Sequence, residues 1–175
     1  RIAMIGDLRH GRTVHSLSKL LMLFNNISVQ LVSPKDLAMP KNIVEEMRSK
    51  GLSVIESEKI ESSISHVDIV YSTRIQEERF TSKDEADLYR GKFRLNQAIY
   101  TAHCEPNTVI MHPLPRDSRE EANELDIDLD GNPSLAIFRQ TDNGLLVRMA
   151  LFAMTLDVVH LVEKNSSDVP WHNLR

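Results

Sequence analysis

Apolar positions along the chain fall into two patterns, short continuous runs and longer stretches with an apolar residue at every third or fourth position. The runs are rich in valine and isoleucine, which is typical of buried β-strands. They lie at residues 2–5, 27–32, 53–55, 67–71 and 108–111, with a sixth short run at 135–138. Helical spacing occurs at residues 13–24, 40–47, 61–65 and 144–162. The chain is therefore predicted to alternate between strands and helices.

This alternation predicts βαβ units and an α/β domain with a doubly wound, mostly parallel sheet. Helices on both faces of the sheet would give a three-layer, Rossmann-like architecture. We assign the domain to residues 1–162 and a polar C-terminal tail to residues 163–175. Two long charged segments, residues 74–95 and 116–132, interrupt the alternation, and segments of this length in compact domains are usually functional.

Composition and charge narrow the class of protein. No apolar run approaches the roughly 20 residues that span a membrane, so no membrane association is expected. The net charge of −4 argues against a nucleic-acid partner, because such proteins usually carry a basic excess. Cys104 is the single cysteine, and we expect a buried structural thiol in a reducing, cytoplasmic compartment. Because the chain starts at Arg1 within a predicted strand, we expect it to be part of a longer protein.

Candidate binding residues follow three of the predicted strands, at the ends where open parallel sheets bind ligands. The first strand is followed by GDLRHGRT (residues 6–13), the fourth by STRIQ (residues 72–76) and the fifth by HPLPR (residues 112–116). Each segment contains an arginine. Cationic side chains gathered at one edge of a sheet indicate a site for an anion.

Arg12 and Arg74 are the main candidates for binding this anion. Arg12 and Thr13 stand at the start of a predicted helix, where free N–H groups and the helix dipole favour negative charge. Arginine binds a carboxylate through two parallel hydrogen bonds, so two arginines at separate strand ends can hold a dicarboxylate. The alternative is that both are surface residues, paired with Asp7 or Glu78.

Residues 6–13 also have the G-x-x-x-x-G spacing of a nucleotide-binding P-loop. Arg12 replaces the lysine that such a loop needs, and the candidate magnesium ligand, Asp68, lies at the wrong end of its strand. The sequence has no G-x-G-x-x-G, H-E-x-x-H or C-x-x-C motif. We therefore expect neither a nucleotide cofactor nor a bound metal.

The HPLP segment restricts its own backbone, because two prolines flank Leu114 and remove two hydrogen-bond donors. Such a turn can direct backbone carbonyls at a ligand. A cis bond before Pro115 is expected, since cis bonds in folded proteins are largely confined to X-Pro. The alternative is an ordinary loop that ends the strand.

Five segments together, GDLRHGRTVHSL, SPKDLAMP, YSTRIQEERF, MHPLPR and FRQTDNG, resemble the aspartate-binding half of the aspartate carbamoyltransferase family. The likeness extends from Arg1 to about Val159. HPLP favours the aspartate enzymes, because the related ornithine enzymes typically have cysteine in place of the first proline. The resemblance implies that the amino group of L-aspartate attacks carbamoyl phosphate and phosphate leaves, an early step of pyrimidine synthesis without a covalent enzyme intermediate.

The resemblance also implies roles for individual residues. Arg12 would bind substrate carboxylates with support from Thr13. Arg74 would hold the side-chain carboxylate of aspartate, and Gln76 would contact aspartate near its amino group. The backbone carbonyl of the leucine in HPLP, Leu114, would orient the amine, with the following proline, Pro115, in the cis form.

The other half of the family's active site is not in this sequence, which lacks the Ser-Thr-Arg-Thr loop that binds carbamoyl phosphate. Members of the family are trimers that share active sites between subunits, and some are parts of multifunctional chains. We therefore expect the isolated chain, as a monomer, to be inactive. In the family the last helix returns to the other domain, so residues 149–156 should be partly exposed here.

The sequence departs from the family pattern at Glu77, where relatives often have lysine, and at Ser72, where they often have methionine. In the family, a glutamate after the HPLPR segment normally braces the arginine that corresponds to Arg74. Here that glutamate is displaced, and Glu120 or Glu121 is a candidate replacement. The second interpretation is therefore a non-catalytic homologue that binds a small dicarboxylate or serves in assembly.

Overall fold

The computed structural model describes residues 1–82, 86–117, 119, 122–162 and 164. Five parallel strands form one sheet in the order β3-β2-β1-β4-β5. Their bounds are β1 Ile2–Gly6, β2 Ser28–Val32, β3 Ser53–Ser57, β4 Ile69–Thr73 and β5 Val109–Met111. These five strands and the doubly wound α/β architecture confirm the sequence prediction.

Helices connect the strands and continue beyond them. They are α1 Arg12–Leu21, α2 Lys41–Ser49, α3 Ile60–Ser63, α4 Gln97–His103, α5 Ile137–Thr155 and α6 Val159–Val162, with 3₁₀ turns at Lys35–Leu37, Glu77–Arg79 and Ile127–Gly131. The apolar pattern does not predict α4, because its seven residues are too few to show a period. Asn96 marks its start, since the side chain accepts a hydrogen bond from the N–H of Ile99 at 2.8 Å.

Successive side chains of β1 enter two hydrophobic clusters, one on each face of the sheet. Met4 packs with Val14 of α1 and Met47 of α2 on one face. Ile5 packs with Tyr100 of α4 in the cluster on the other face. Burial on both faces explains why the strands are nearly continuous apolar runs, and it gives the predicted three layers.

The sequence prediction is wrong at the start of the last long helix. Residues 135–138 form no strand, since only Leu135 pairs with the sheet, through a single bridge to Ile110. α5 instead begins at Ile137, well before the predicted start at Gly144. Residues 139–143 are all polar, so no helical spacing of apolar residues connects Phe138 to the predicted start of the helix.

The chain divides into two compact units, Arg1–Ile137 and Phe138–Arg175. In the second unit, a turn at Asp157, whose φ is 55°, splits the predicted helix into α5 and α6. Large apolar side chains on these helices are exposed, with Phe152 and Met154 each 67% exposed. This confirms the expected exposure of the last helix.

Three further predictions concern the burial of Cys104, the polar tail and the absence of a membrane span. Cys104 packs against the core but is half-buried rather than fully buried, and burial raises the pKa of its thiol to about 11. Apart from Lys164, the predicted tail of residues 163–175 lies outside the described residues. Within the described part of the chain, no helix combines the length and apolar character needed to cross a bilayer.

Candidate functional site

The three segments that contain the predicted site residues follow neighbouring strands. β1 pairs with β4, and β5 pairs with the other side of β4. The last pairing of the β1–β4 ladder joins Gly6 to Thr73, so the two chains leave the sheet side by side. The segments after β1, β4 and β5 therefore meet at the carboxyl edge of the sheet, where ligands bind in this architecture.

The two glycines of the P-loop-like spacing allow close packing at this edge. Gly6 has a φ of 115°, and a Cβ there would lie 2.1 Å from the carbonyl oxygen of Thr73. A Cβ on Gly11 would lie 2.6 Å from the carbonyl oxygen of Asp7. Contact between backbone segments therefore accounts for both glycines without a bound phosphate.

Asp7 links the segment after β1 to the segment after β4. Its buried carboxylate accepts hydrogen bonds from the backbone N–H of His10 at 2.9 Å and of Gln76 at 3.2 Å, and the Nδ1 of His10 lies 3.0 Å from it. Asp7 thus pairs with His10 and Gln76 and not, as the alternative interpretation had it, with Arg12. Sequence analysis did not identify this link, although a buried position directly after a strand is a usable signal.

Arg12 and Thr13 begin α1 with exposed side chains. Gly11 at the N-cap supplies no side-chain hydrogen bond, so the first turn of the helix offers unsatisfied N–H groups. Burial raises the pKa of the Tyr71 phenol on β4, and a hydrogen bond with the Thr13 side chain opposes the rise.

Arg74 pairs with Glu78, as the alternative interpretation predicted for this residue. Its Nη1 donates to one carboxylate oxygen of Glu78 at 3.2 Å, and its Nη2 donates to the other at 2.8 Å. Nη1 also donates to the backbone carbonyl of Ile75 at 3.3 Å. The guanidinium is therefore held by its Nη1–Nη2 edge, by a carboxylate of its own segment that was not among the predicted bracing residues.

Glu77 joins three parts of the site through an ion-pair network. Its carboxylate accepts two hydrogen bonds from Arg90, at 2.8 and 2.9 Å, and one from Arg119 at 2.6 Å. The bonds from Arg90 and then Arg119 lower the pKa of Glu77 to about 2. Arg119 also donates to Asp117 at 3.0 Å. The negative charge at position 77 is thus compensated by two guanidinium groups.

The HPLP turn has the predicted cis bond between Leu114 and Pro115. Beneath the turn, the fully buried imidazole of His112 accepts the N–H of Leu114 at its Nδ1, at 2.9 Å. The Nε2 of the same ring lies 2.8 Å from a carboxylate oxygen of Glu124. Glu124 also accepts the N–H of Asp117 at 3.1 Å.

The acidic segment after the turn supplies the partner of the third arginine of the site. Arg116 donates to both carboxylate oxygens of Asp130, at 2.7 and 2.9 Å. This bidentate ion pair fixes the position of the Arg116 guanidinium. Glu120 and Glu121, the candidate partners of the second arginine, lie outside the described residues. The sequence did not identify Glu124 as a site residue, because nothing in this acidic segment distinguishes one carboxylate from another.

A cluster of metal ligands or a cleft could also mark a binding site. Among the residues that the structure describes, no group of three or more His, Cys, Asp or Glu residues is placed to hold a metal ion. A cleft of about 320 Å³ opens at the carboxyl ends of β2 and β3, beside Ser33, Lys35 and Glu58. No predicted site residue lines this cleft.

Comparison with known proteins relates this arrangement to a family. The family described as "Aspartate/ornithine carbamoyltransferase, Asp/Orn binding domain" matches residues 1–155. The aspartate carbamoyltransferase catalytic subunit of Cellvibrio japonicus is 71% identical over 171 residues, which cover 98% of this chain and 51% of the relative.

Two solved structures have the same fold. The catalytic subunit of M. jannaschii aspartate transcarbamoylase is 37% identical with a TM-score of 0.77, covering 94% of this chain and 50% of that one. Aspartate transcarbamoylase from Trypanosoma cruzi, in complex with aspartate and phosphate, is 34% identical with a TM-score of 0.73, covering 86% and 45%. The chain thus spans about half the length of these relatives.

Proposed function

The chain belongs to the aspartate/ornithine carbamoyltransferase family as an Asp/Orn-binding domain, and on that premise we propose that it forms the aspartate side of an aspartate carbamoyltransferase active site. The sequence HPLP and the identity of 71% to a catalytic subunit of that enzyme support aspartate over ornithine. The complete enzyme would transfer the carbamoyl group of carbamoyl phosphate to the amino group of L-aspartate, a step of pyrimidine synthesis.

The observation that carries this proposal is the hydrogen bond from the Gln76 N–H to the buried Asp7. It fixes the segment of Arg74 against the segment that leads to Arg12, at the edge where parallel sheets bind ligands. Two arginine forks on linked segments can hold the two carboxylates of aspartate, since each fork binds one carboxylate through parallel hydrogen bonds.

Arg74 keeps one binding edge for the substrate. A guanidinium has five N–H donors, and the bonds of Arg74 to Glu78 and Ile75 use the Nη1–Nη2 end of the group. Within the described residues, the Nε–H and the second Nη2–H are left for the side-chain carboxylate of aspartate. Glu78 thereby orients the arginine without competing for the edge that binds substrate.

The proposed chemistry depends on position rather than on a nucleophilic side chain. The amine of aspartate attacks the carbamoyl carbon, the bond to phosphate breaks, and the amine loses a proton. The carbonyl of Leu114 would accept a hydrogen bond from the amine and align it, and alignment of this kind supplies much of the rate of such reactions. Carbamoyl phosphate and the trimeric partner subunits would contact residues outside this chain.

A direct test uses the complete enzyme, made by joining this chain to the amino-terminal half of the C. japonicus catalytic subunit. We call this protein the joined subunit. We expect it to form N-carbamoyl-L-aspartate, and we expect Arg74→Ala to reduce kcat/KM at least about a hundredfold, because a charged group in the substrate would lose a bidentate partner.

The matched control for Arg74→Ala is Arg48→Ala. Arg48 is also ion-paired, to Glu56 at 3.0 Å, but it lies on α2 away from the proposed site, and its loss should leave turnover unchanged. A folded joined subunit that binds succinate but forms no product would favour the non-catalytic interpretation and contradict the proposal.

A further inference from the structure

We propose that Glu124 is a positioning residue for the amine of aspartate, acting through His112 on the backbone carbonyl of Leu114. The inference rests on the proposed function, which gives that carbonyl its role. It names a residue outside the sequence motifs, in a segment where the chain departs from the family pattern. Three contacts carry the argument.

The first contact fixes the protonation of the ring. The N–H of Leu114 donates to Nδ1 of His112 at 2.9 Å, so Nδ1 has no proton of its own. The proton of the neutral imidazole is therefore on Nε2, which lies 2.8 Å from a carboxylate oxygen of Glu124, within ion-pair distance although not aligned as a hydrogen bond to that oxygen. A carboxylate on one ring nitrogen is the usual means of fixing which nitrogen is protonated.

The second and third contacts attach Glu124 to both ends of the turn. The carboxylate reaches Leu114 through the imidazole, and it accepts the backbone N–H of Asp117 at 3.1 and 3.3 Å through its two oxygens. His112 is 1% exposed and Glu124 is 5% exposed. Because unpaired polar groups are costly at such buried positions, these groups have little freedom to rearrange.

Loss of the Glu124 carboxylate would free the ring to change tautomer or rotate. An N–H at Nδ1 would then oppose the N–H of Leu114, and the turn would have to move. A shift of about 1 Å in a positioning group can cost about a hundredfold in rate. Binding of the two carboxylates should be spared, since Arg12 and Arg74 belong to other segments.

Three variants of the joined subunit test this role. Glu124→Met removes the acceptor at similar length, and we expect kcat to fall about tenfold to a hundredfold while the inhibition constant of succinate, a dicarboxylate without an amine, stays unchanged. Glu124→Gln keeps a polar oxygen beside Nε2 and an acceptor for the N–H of Asp117, and we expect its kcat to stay within about threefold of the parent.

The control for a merely structural effect is Thr108→Val. The buried hydroxyl of Thr108 donates to the carbonyl of Val67 at 2.8 Å, at the opposite edge of the sheet. Its loss should lower stability without lowering kcat. The inference is overturned if Glu124→Met changes kcat no more than Thr108→Val does, or if succinate binding falls in parallel with kcat. It is also overturned if Glu124→Gln is as impaired as Glu124→Met.

These outcomes separate the inference from the proposed function. An active joined subunit whose kcat is insensitive to Glu124→Met contradicts the inference alone. An inactive parent that is folded contradicts the proposed function and the inference with it.

Discussion

Gly6 is a residue at which the backbone tolerates little change. A methyl group there would meet the carbonyl of Thr73 at 2.1 Å, on a backbone with a φ of 115°. We expect Gly6→Ala to lower the free energy of unfolding by about 3 kcal/mol, since overpacking adds to the cost of the positive φ. Gly51→Ala should cost only about 1 kcal/mol, because Gly51 shares a positive φ of 86° but has nothing within 4 Å. Equal losses in urea unfolding would contradict this account.

Glu77 should make stability depend on pH in the acidic range. Its pKa falls on folding from an ordinary value near 4.5 to about 2, because Arg90 and Arg119 donate to its carboxylate. A carboxylate with a lowered pKa stabilises the folded state above the ordinary value, and this contribution is lost as the pH falls toward the folded value.

The variant that tests this pH dependence is Glu77→Gln. We expect it to lower the free energy of unfolding at pH 7 and to differ less from the parent at pH 3, in urea titrations at both values. Glu45→Gln, which changes an exposed carboxylate on α2, serves as the control. A difference between Glu77→Gln and the parent that is as large at pH 3 as at pH 7 would show that the network does not hold Glu77 charged.

Candidate site residues are visible in the sequence where residue type and strand end coincide, and their binding roles stay predictions. Arg12, Arg74 and Gln76 are visible because they follow predicted strands. Asp7 and Glu124 are not visible in the same way. Asp7 acts on the N–H of Gln76, and Glu124 acts on the ring of His112 and the N–H of Asp117. Only the tertiary structure brings these partners together.

Among the secondary-structure elements, buried strands were the most predictable and helix boundaries the least. The five strands are apolar on both faces, so each appears as a continuous run. α4 has too few residues for a period, and in α5 the polar residues 139–143 separate the apolar start of the helix from its later apolar positions. The apolar run at residues 135–138 was mistaken for a strand because a run of this length fits either element.

The apolar surface of α5 should make the isolated chain associate. Met149 and Phe152 lie three positions apart on one side of α5, and both are exposed. We expect Met149→Glu combined with Phe152→Glu to reduce concentration-dependent association and the fluorescence of a dye that binds apolar surfaces. An exposed apolar patch favours contact with another surface, and the two charges would interrupt it.

The matched control places the same charges on another exposed apolar pair. Leu20→Glu with Leu23→Glu alters the end of α1, where both side chains are exposed. The α5 pair should have the larger effect in sedimentation and dye-binding measurements. An isolated chain that stays monomeric at all concentrations and binds no dye would contradict the expectation.

At the scale of the whole molecule, residues that follow separate strands must act on one ligand. The sheet order places the segments after β1, β4 and β5 together, and Asp7 and Glu77 link them by hydrogen bonds. The chain spans about half of the relatives that it matches. The proposed reaction therefore needs the other half, whereas recognition of the dicarboxylate is assigned to this one.

The most direct measurement is a crystal structure of the joined subunit with succinate. We predict one carboxylate on the Nε–Nη2 edge of Arg74, with Glu78 still on the opposite edge, and the other carboxylate within hydrogen-bond distance of Arg12. Succinate bound elsewhere, or bound by only one of the two arginines, would contradict the central claim that both guanidinium groups recognise the same small dicarboxylate.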